Sequence, residues 1–373
     1  MKILQVGSSL ESWGGIERYV AYLSEGLAGR GHDVVVTCAP CCPLDMHLSV
    51  RSVPITVRRK FDFPAFSQYL RHFKAVRYDV VHVHFSPDFL LPAIAARMTK
   101  QPLSIMSRHV VLPWTQTKVR LYSGLFDHFI PVSESVERQL LASGVRKEKM
   151  TVAKAGCPAL APTKIREVTR HELGIHNGVM AVGYFGRLVA EKGVDTLIAA
   201  CAELPKGISF EVFGNGPLSS ELESRAKLSN SQVRFHGFRE DVPECIQAME
   251  AVVIPSIWEE AFPYAALEAM SVGRPVIASR VGGMPEIIEH GKTGLLFDKG
   301  DFAGLAAATA QLACNPELKA AMGAQARETH RSCYTIEKMA ERIEAVYLAV
   351  GPVRNRTRGH EPIPRLQPDG DDL

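Results

Sequence analysis

The stretch Pro255-Ser-Ile-Trp-Glu-Glu-Ala-Phe-Pro-Tyr-Ala-Ala-Leu-Glu-Ala-Met-Ser-Val-Gly-Arg-Pro275 gathers two carboxylates, Glu260 and Glu268, around one helix start. On a single regular helix their eight-residue step, at ~1.5 Å per residue, would separate them by about 12 Å along the axis. Paired glycosidase carboxylates need roughly 5 to 9.5 Å around one bond, so an acid and base working together does not fit. Proline is best tolerated at the first helical position, where its missing N–H would have no partner. Pro263 therefore predicts a helix over about 263–272, with Glu260 in the loop before it and Glu268 two turns in. The two can then touch different parts of one extended ligand, and the helix N-terminus between them offers free N–H groups and a positive dipole end. An elongated, phosphorylated molecule suits that arrangement. Spacing alone equally allows two solvated helix-end charges.

Outward from this stretch the chain alternates strand and helix. Ala251–Ile254, 275–278 and 294–297 read as strands around it; upstream, Val179–Phe185, Ser209–Phe213 and Val233–His236 are strands, with helices over Val194–Leu204 and Ser219–Leu228. The first half repeats the pattern, with strands at Lys2–Val6, Val34–Thr37, Asp79–His84, Leu103–Met106 and His128–Val132 and a helix over Ile16–Arg30. Such alternation predicts α/β architecture with two doubly wound, Rossmann-like parallel sheets facing each other across a cleft. The expected division is 1–156, a proline-bearing linker 157–172, and 173–335. An amphipathic helix over 336–350 should close the first domain, and 351–373 reads as a polar disordered tail.

With 373 residues, 46% hydrophobic and 22% charged, the composition is that of a globular protein long enough for two domains. The apolar part of the opening Met1–Gly7 is too short for a signal peptide, and no run of about 18 apolar residues occurs, so a cytoplasmic location is expected. The eight cysteines are scattered; Cys38, Cys41 and Cys42 lack a second pair at zinc spacing. Net charge +3 conceals an asymmetry: residues 1–160 hold 20 Lys+Arg against 12 Asp+Glu, and the remainder 23 against 28. Arg51, Arg58, Arg59, Lys60, Arg71, Lys74 and Arg77, interleaved with Phe61, Phe63 and Phe66, form a patch suited to a phosphorylated acceptor or an anionic membrane, or to nothing beyond solvent. No nucleic-acid-binding motif accompanies it, and nucleic acid is not expected as a partner.

Several strand-to-helix loops carry chemistry. Arg187 and Lys192 in Gly183-Tyr-Phe-Gly-Arg-Leu-Val-Ala-Glu-Lys-Gly193 are two cations able to hold a diphosphate and stabilise a departing phosphate. Gly214-Asn-Gly216 and Val281-Gly-Gly-Met-Pro-Glu286 recur along the same edge. Gly14 and Gly15 precede a helix, where bare amides can meet phosphate; the spacing is not G-x-G-x-x-G, which argues against a dehydrogenase. His109 ends a strand and can enter the cleft, although a structural histidine reads equally well. His82 and His84 share a strand face and, with His109 and Asp88, sketch a metal site whose convergence nothing in the sequence fixes.

The ordered set Gly14-Gly15-Ile-Glu-Arg18, Arg30-Gly-His-Asp33, Asp79-Val-Val-His-Val-His84, Gly186-Arg-Leu-x3-Lys-Gly193, Glu260-x7-Glu268, Gly273-Arg-Pro-Val-Ile-Ala278 and Gly282-Gly-Met-Pro-Glu286 closely resembles the family 4 retaining glycosyltransferases of the GT-B fold. The resemblance runs from Lys2 to about Val350. It implies that Arg187 and Lys192 hold the diphosphate of a donor nucleotide sugar, that Glu268 accepts from its ribose hydroxyls, and that Glu260 and the following loop, Phe262 included, contact the sugar. Gly14 and Gly15 would pack on the diphosphate from the other domain, and His109 would approach the sugar. It further implies no cofactor, no metal in the site, and same-face attack without a protein nucleophile. Many members have glycine where this chain has Pro263; proline removes an N–H and the positive φ that glycine allows, so no donor identity carries over. The expected activity is transfer of a hexose-type sugar to a cell-surface glycan or lipopolysaccharide-like, lipid-linked acceptor, with peripheral contact at the inner membrane face. A catalytically silent scaffold, a nucleotide-sugar epimerase and a phosphorylase are the alternatives on the same fold.

Overall fold

The computed structural model describes residues 1–7, 13–57, 61–84, 90–229 and 231–351. Asp88, Arg58, Arg59, Lys60, most of the polar loop before Gly14, and the tail beyond Gly351 lie outside them.

Two all-parallel six-stranded sheets are built from the short, near-continuous apolar runs that a sheet buried on both faces requires. The first contains β1 (Lys2–Val6), β2 (Asp33–Cys38), β3 (Arg51–Pro54), β4 (Val80–Val83), β5 (Ser104–Arg108) and β6 (His128–Pro131), in the order β3-β2-β1-β4-β5-β6. The second contains β7 (Met180–Phe185), β8 (Ile208–Phe213), β9 (Val233–Gly237), β10 (Ala251–Ile254), β11 (Val276–Ser279) and β12 (Gly294–Phe297), in the order β12-β11-β10-β7-β8-β9. Both are the doubly wound arrangement that the alternation predicts. The winding reverses between β1 and β4 in the first sheet and between β7 and β10 in the second. Ligands of such sheets bind outside the carboxyl ends at these reversals, so the loops after β1, β7 and β10 are the positions that matter.

Strand β3 was not expected. Its sequence Arg-Ser-Val-Pro is short, polar, only partly buried and ends in proline, the composition of an edge strand rather than a core one. A second difference lies in the expected linker, where Arg166–Glu172 forms a helix. Its register comes from charge, not apolar spacing: Arg166 and Arg170 both pair with Glu250 just before β10.

Helix Ile336–Val350 packs along helix Gly15–Gly29 so closely that a Cβ on Gly26 would stand 2.8 Å from Ala340 Cβ. Arg30 and His32 pair with Glu344, and the Tyr347 hydroxyl reaches into the first sheet at Gln5 and His82. The last helix therefore belongs to the first sheet's core, as its periodicity predicts. Glu286, beyond β11, joins the halves differently: its two carboxylate oxygens accept from the Glu134 and Ser135 amides, 2.7 Å each, at the N-terminus of helix Glu134–Ala142. A carboxylate there satisfies orphan N–H groups and meets the positive end of the dipole.

Candidate active site

Lys192 ends a single 3-10 turn, Ala190–Lys192, on the loop after β7. Gly193 follows at φ +66°, and a Cβ there would lie 2.1 Å from the Pro255 carbonyl oxygen. Glycine thus lets the loops after β7 and β10 touch, and the Ile257 amide closes the contact on Glu191 O at 2.9 Å. The result is a salt bridge across the winding reversal, Lys192 Nζ to Glu260 Oε1 at 2.6 Å. Ser256 Oγ donates to the same oxygen at 2.6 Å. A third loop, after β11, fixes the main chain: the Gly283 amide donates to Glu260 O at 2.7 Å, and Gly282, at φ +53°, lies against the Glu260 backbone. Glu260 is 11% exposed and held from three directions. Arg187 is exposed, and its guanidinium has no partner among the described residues, while its carbonyl is pinned by the Tyr184 hydroxyl at 2.7 Å. It is a cation on a fixed backbone with its donors available.

Helix Tyr264–Val272 starts one residue later than expected, because Pro263 takes an extended cap conformation (φ −74°, ψ 127°) instead of the first helical position. Glu268 is accordingly its fifth residue, little more than one turn in. No described side chain caps this N-terminus, which leaves the amides ahead of Ala266 available. Glu268 is ion-paired through one oxygen with Arg18 on helix Gly15–Gly29, and its other oxygen has no partner among the described residues. The two halves meet here again: Tyr22 and Tyr264 are in edge contact at 5.8 Å, and a Cβ on Gly15 would be 3.7 Å from Tyr264 Cδ2. The Gly14 amide donates to Glu17 Oε2 at 3.1 Å. The Phe262 ring is buried against Tyr334, 5.7 Å between centroids, so a ligand contact at this position falls to its backbone.

His109 follows β5 and packs edge-on against Tyr19 at 4.5 Å. Its Nε2 lies 3.4 Å from His84 Nδ1, and His84 Nε2 lies 2.6 Å from Gln5 Oε1. An amide oxygen only accepts, so His84 carries its proton on Nε2 and receives one from His109 on Nδ1. His82 is engaged at both nitrogens, by the Tyr347 hydroxyl at 2.6 Å and Ser107 Oγ at 2.8 Å. Burial above all, reinforced by neighbouring cations or imidazoles, lowers all three pKa values, that of His109 to about 3. The trio is neutral and the lone pairs of His82 and His84 are used in hydrogen bonds; Asp88, the fourth group of the metal reading, lies outside the described residues. No group of three His, Cys, Asp or Glu suited to a metal occurs among the described residues.

The structure therefore brings Lys192 to Glu260, Glu268 to the first half, and His109 to the helix that begins at Gly15. Sequence reasoning gave no role to Arg18, Ser256, Tyr264 or Glu286. Arg18 and Glu286 stand inside the motifs quoted above, but only the fold shows which carboxylate or helix end each meets.

Two family profiles match the chain, one described as Glycosyl transferases group 1 over residues 180–315 and one as Glycosyltransferase Family 4 over residues 13–157. Together with the paired sheets they define a GT-B glycosyltransferase, an enzyme that transfers a sugar. Alpha-D-kanosaminyltransferase of Streptomyces kanamyceticus is 27% identical, over 89% of this chain and 99% of its own. D-inositol 3-phosphate glycosyltransferase of Corynebacterium jeikeium (strain K411) is 33% identical over 51% of this chain and 48% of its own. Among solved structures, Anabaena Alr3699/HepE in complex with UDP and glucose superposes with TM-score 0.82 at 22% identity, over 94% of this chain and 100% of that one. The chain belongs to the family 4 glycosyltransferases.

Proposed function

We propose that the protein is a retaining hexosyltransferase that uses a nucleotide diphosphate sugar. The observation that carries this reading is the Lys192–Glu260 pair at the β7/β10 reversal, with Arg187, whose guanidinium has no partner among the described residues, on the same loop. Arg187 and Lys192 take the diphosphate, bidentate and as a point charge respectively, doing the work a divalent cation does elsewhere. Glu260, freed from Lys192 by the incoming phosphate, accepts from sugar hydroxyls along with the main chain at Phe262. The unpartnered oxygen of Glu268 accepts from the ribose. Gly14 and Gly15 approach the diphosphate from the first half, and backbone around Phe235–Arg239 meets the base. Transfer breaks the bond from the anomeric carbon to phosphate and forms one to the acceptor oxygen on the same face. The acceptor proton passes to the leaving phosphate, and His109, neutral near pH 7 because burial lowers its pKa to about 3, contacts the sugar without exchanging a proton.

The acceptor is a glycan precursor carried on a lipid. Arg51, Arg71, Lys74, Phe61 and Phe63 are exposed on the first half, a basic and aromatic surface suited to an anionic membrane face. No described helix is long and apolar enough to cross a membrane. Thermal unfolding with a panel of UDP-, GDP- and ADP-sugars tests the reading, with UDP-glucose first because the Anabaena structures hold UDP and UDP-glucose. One donor series should raise the midpoint; no shift with any donor or free nucleotide would refute the assignment.

A further inference from the structure

A cavity of about 410 Å³ lies where residues 159–162 cross from the first sheet to the second, against helices Tyr264–Val272 and Pro316–Cys333. Three guanidinium groups line it, those of Arg274, Arg327 and Arg331, and no lining residue is an aspartate or glutamate. Among the described residues none of the three is ion-paired. Arg274 donates to Gln247 O at 2.7 Å and Arg327 to Val272 O at 2.6 Å, while Arg331 is exposed without a partner. The carbonyl ends of the two helices explain one contact for Arg327 and a mild preference for cations. They do not explain three.

The wall is also unsatisfied. Arg274 Nε, His330 Nδ1 and Gln247 Oε1 are buried without hydrogen-bond partners among the described residues, and His330 is 0% exposed. Burial first, then Arg166, with Arg327 adding, drives the Arg274 pKa down to about 10. Glu250 is the one carboxylate acting on it, and Glu250 is already engaged by Arg166 and Arg170. A half-buried guanidinium among like charges is costly unless an anion joins it.

We propose that this cavity binds a phosphate-bearing small molecule. Planar guanidinium forks recognise phosphate oxygens bidentately, and three of them match a dianion better than a carboxylate. The volume falls in the range of small-molecule sites, and Leu160, Pro162 and Val272 supply an apolar wall for an organic body. None of the cavity's lining residues is one placed at the cleft, and Ser271 on its wall sits one turn beyond Glu268 on the same helix, donating to the Glu268 carbonyl at 2.8 Å.

Calorimetric titration of the full chain with inorganic phosphate and with glucose 6-phosphate tests this. Glucose 6-phosphate should bind wild type and Lys192→Ala equally, and about tenfold or more weakly to Arg327→Gln/Arg331→Gln, which loses two charge-assisted contacts. Arg331→Gln alone, at an exposed position, should weaken binding severalfold and keeps the test valid if the double variant misfolds. Tighter binding of glucose 6-phosphate than of phosphate identifies an organic ligand; equal binding identifies free phosphate. Binding unchanged in the arginine variants, lost in Lys192→Ala, or absent with both probes overturns the proposal.

Discussion

Lys192 Nζ stands 2.6 Å from Glu260 Oε1, bridging the two loops that flank the winding reversal of the second sheet. In the proposed function this cation and anion serve neighbouring parts of one ligand and neutralise each other until it arrives. Removing the ammonium leaves Glu260 with Ser256 alone and takes away charge stabilisation of the departing phosphate. Lys192→Ala should lower kcat about 100-fold or more, as loss of one preorganised transition-state donor does, with Lys192→Arg recovering part of it. Nucleoside diphosphate release under saturating donor measures the effect.

Arg18 and Glu268 join the two halves through a mostly buried pair. Either single change strands the other charge, so Arg18→Met and Glu268→Gln should each destabilise by more than their share of the double variant. A double-mutant cycle on chemical denaturation should return a coupling of about 1–3 kcal/mol. Additive losses would show that the halves are held elsewhere.

Gly282 has φ +53°, and a Cβ there would approach Glu260 O to 2.0 Å. Gly282→Ala should cost about 1–3 kcal/mol of stability and most activity, since it displaces Glu260. Gly29→Ala is the control: nothing lies within 4 Å of its added Cβ at a helix end, and stability should hold or rise by up to about 1 kcal/mol.

Acid should weaken the fold through the histidine cluster. His109 takes up its proton near 6.5 in the unfolded chain but only at about 3 when folded, chiefly because it is buried and then because Arg108 is near. Its contribution is full above pH 6.5 and lost as pH falls toward 3. Denaturation midpoints at pH 7.5 and 5.5 should converge in His109→Gln relative to wild type; an unchanged gap would assign the acid sensitivity to other histidines, such as His128.

Eleven of the twelve strands were legible because each is an apolar run whose type and length leave little choice, and β3 was not because an edge strand is polar by necessity. Helix Arg166–Glu172 escaped because Glu250, distant in sequence, supplies its anchor. As candidates for the site, Arg187, Lys192 and Glu260 could be named from loop position and Glu268 from its place on the helix after Pro263. What could not be read was pairing: nothing in the spacing says that Glu268 faces Arg18, that the Phe262 ring turns inward to Tyr334, or that His84 and Gln5 fix the tautomer of His109. The first arises where the two halves meet and the others from residues brought together from distant parts of the sequence, which no local pattern encodes.

In the proposed function Glu260 and Glu268 clamp opposite ends of one nucleotide sugar. Equilibrium titration of the stabilising nucleotide sugar and of its free nucleoside diphosphate against Glu260→Gln and Glu268→Gln tests it most directly. Glu268→Gln should weaken both ligands, whereas Glu260→Gln should weaken the nucleotide sugar and spare the free nucleotide. Equal loss of both ligands in Glu260→Gln, or no loss in Glu268→Gln, would contradict it.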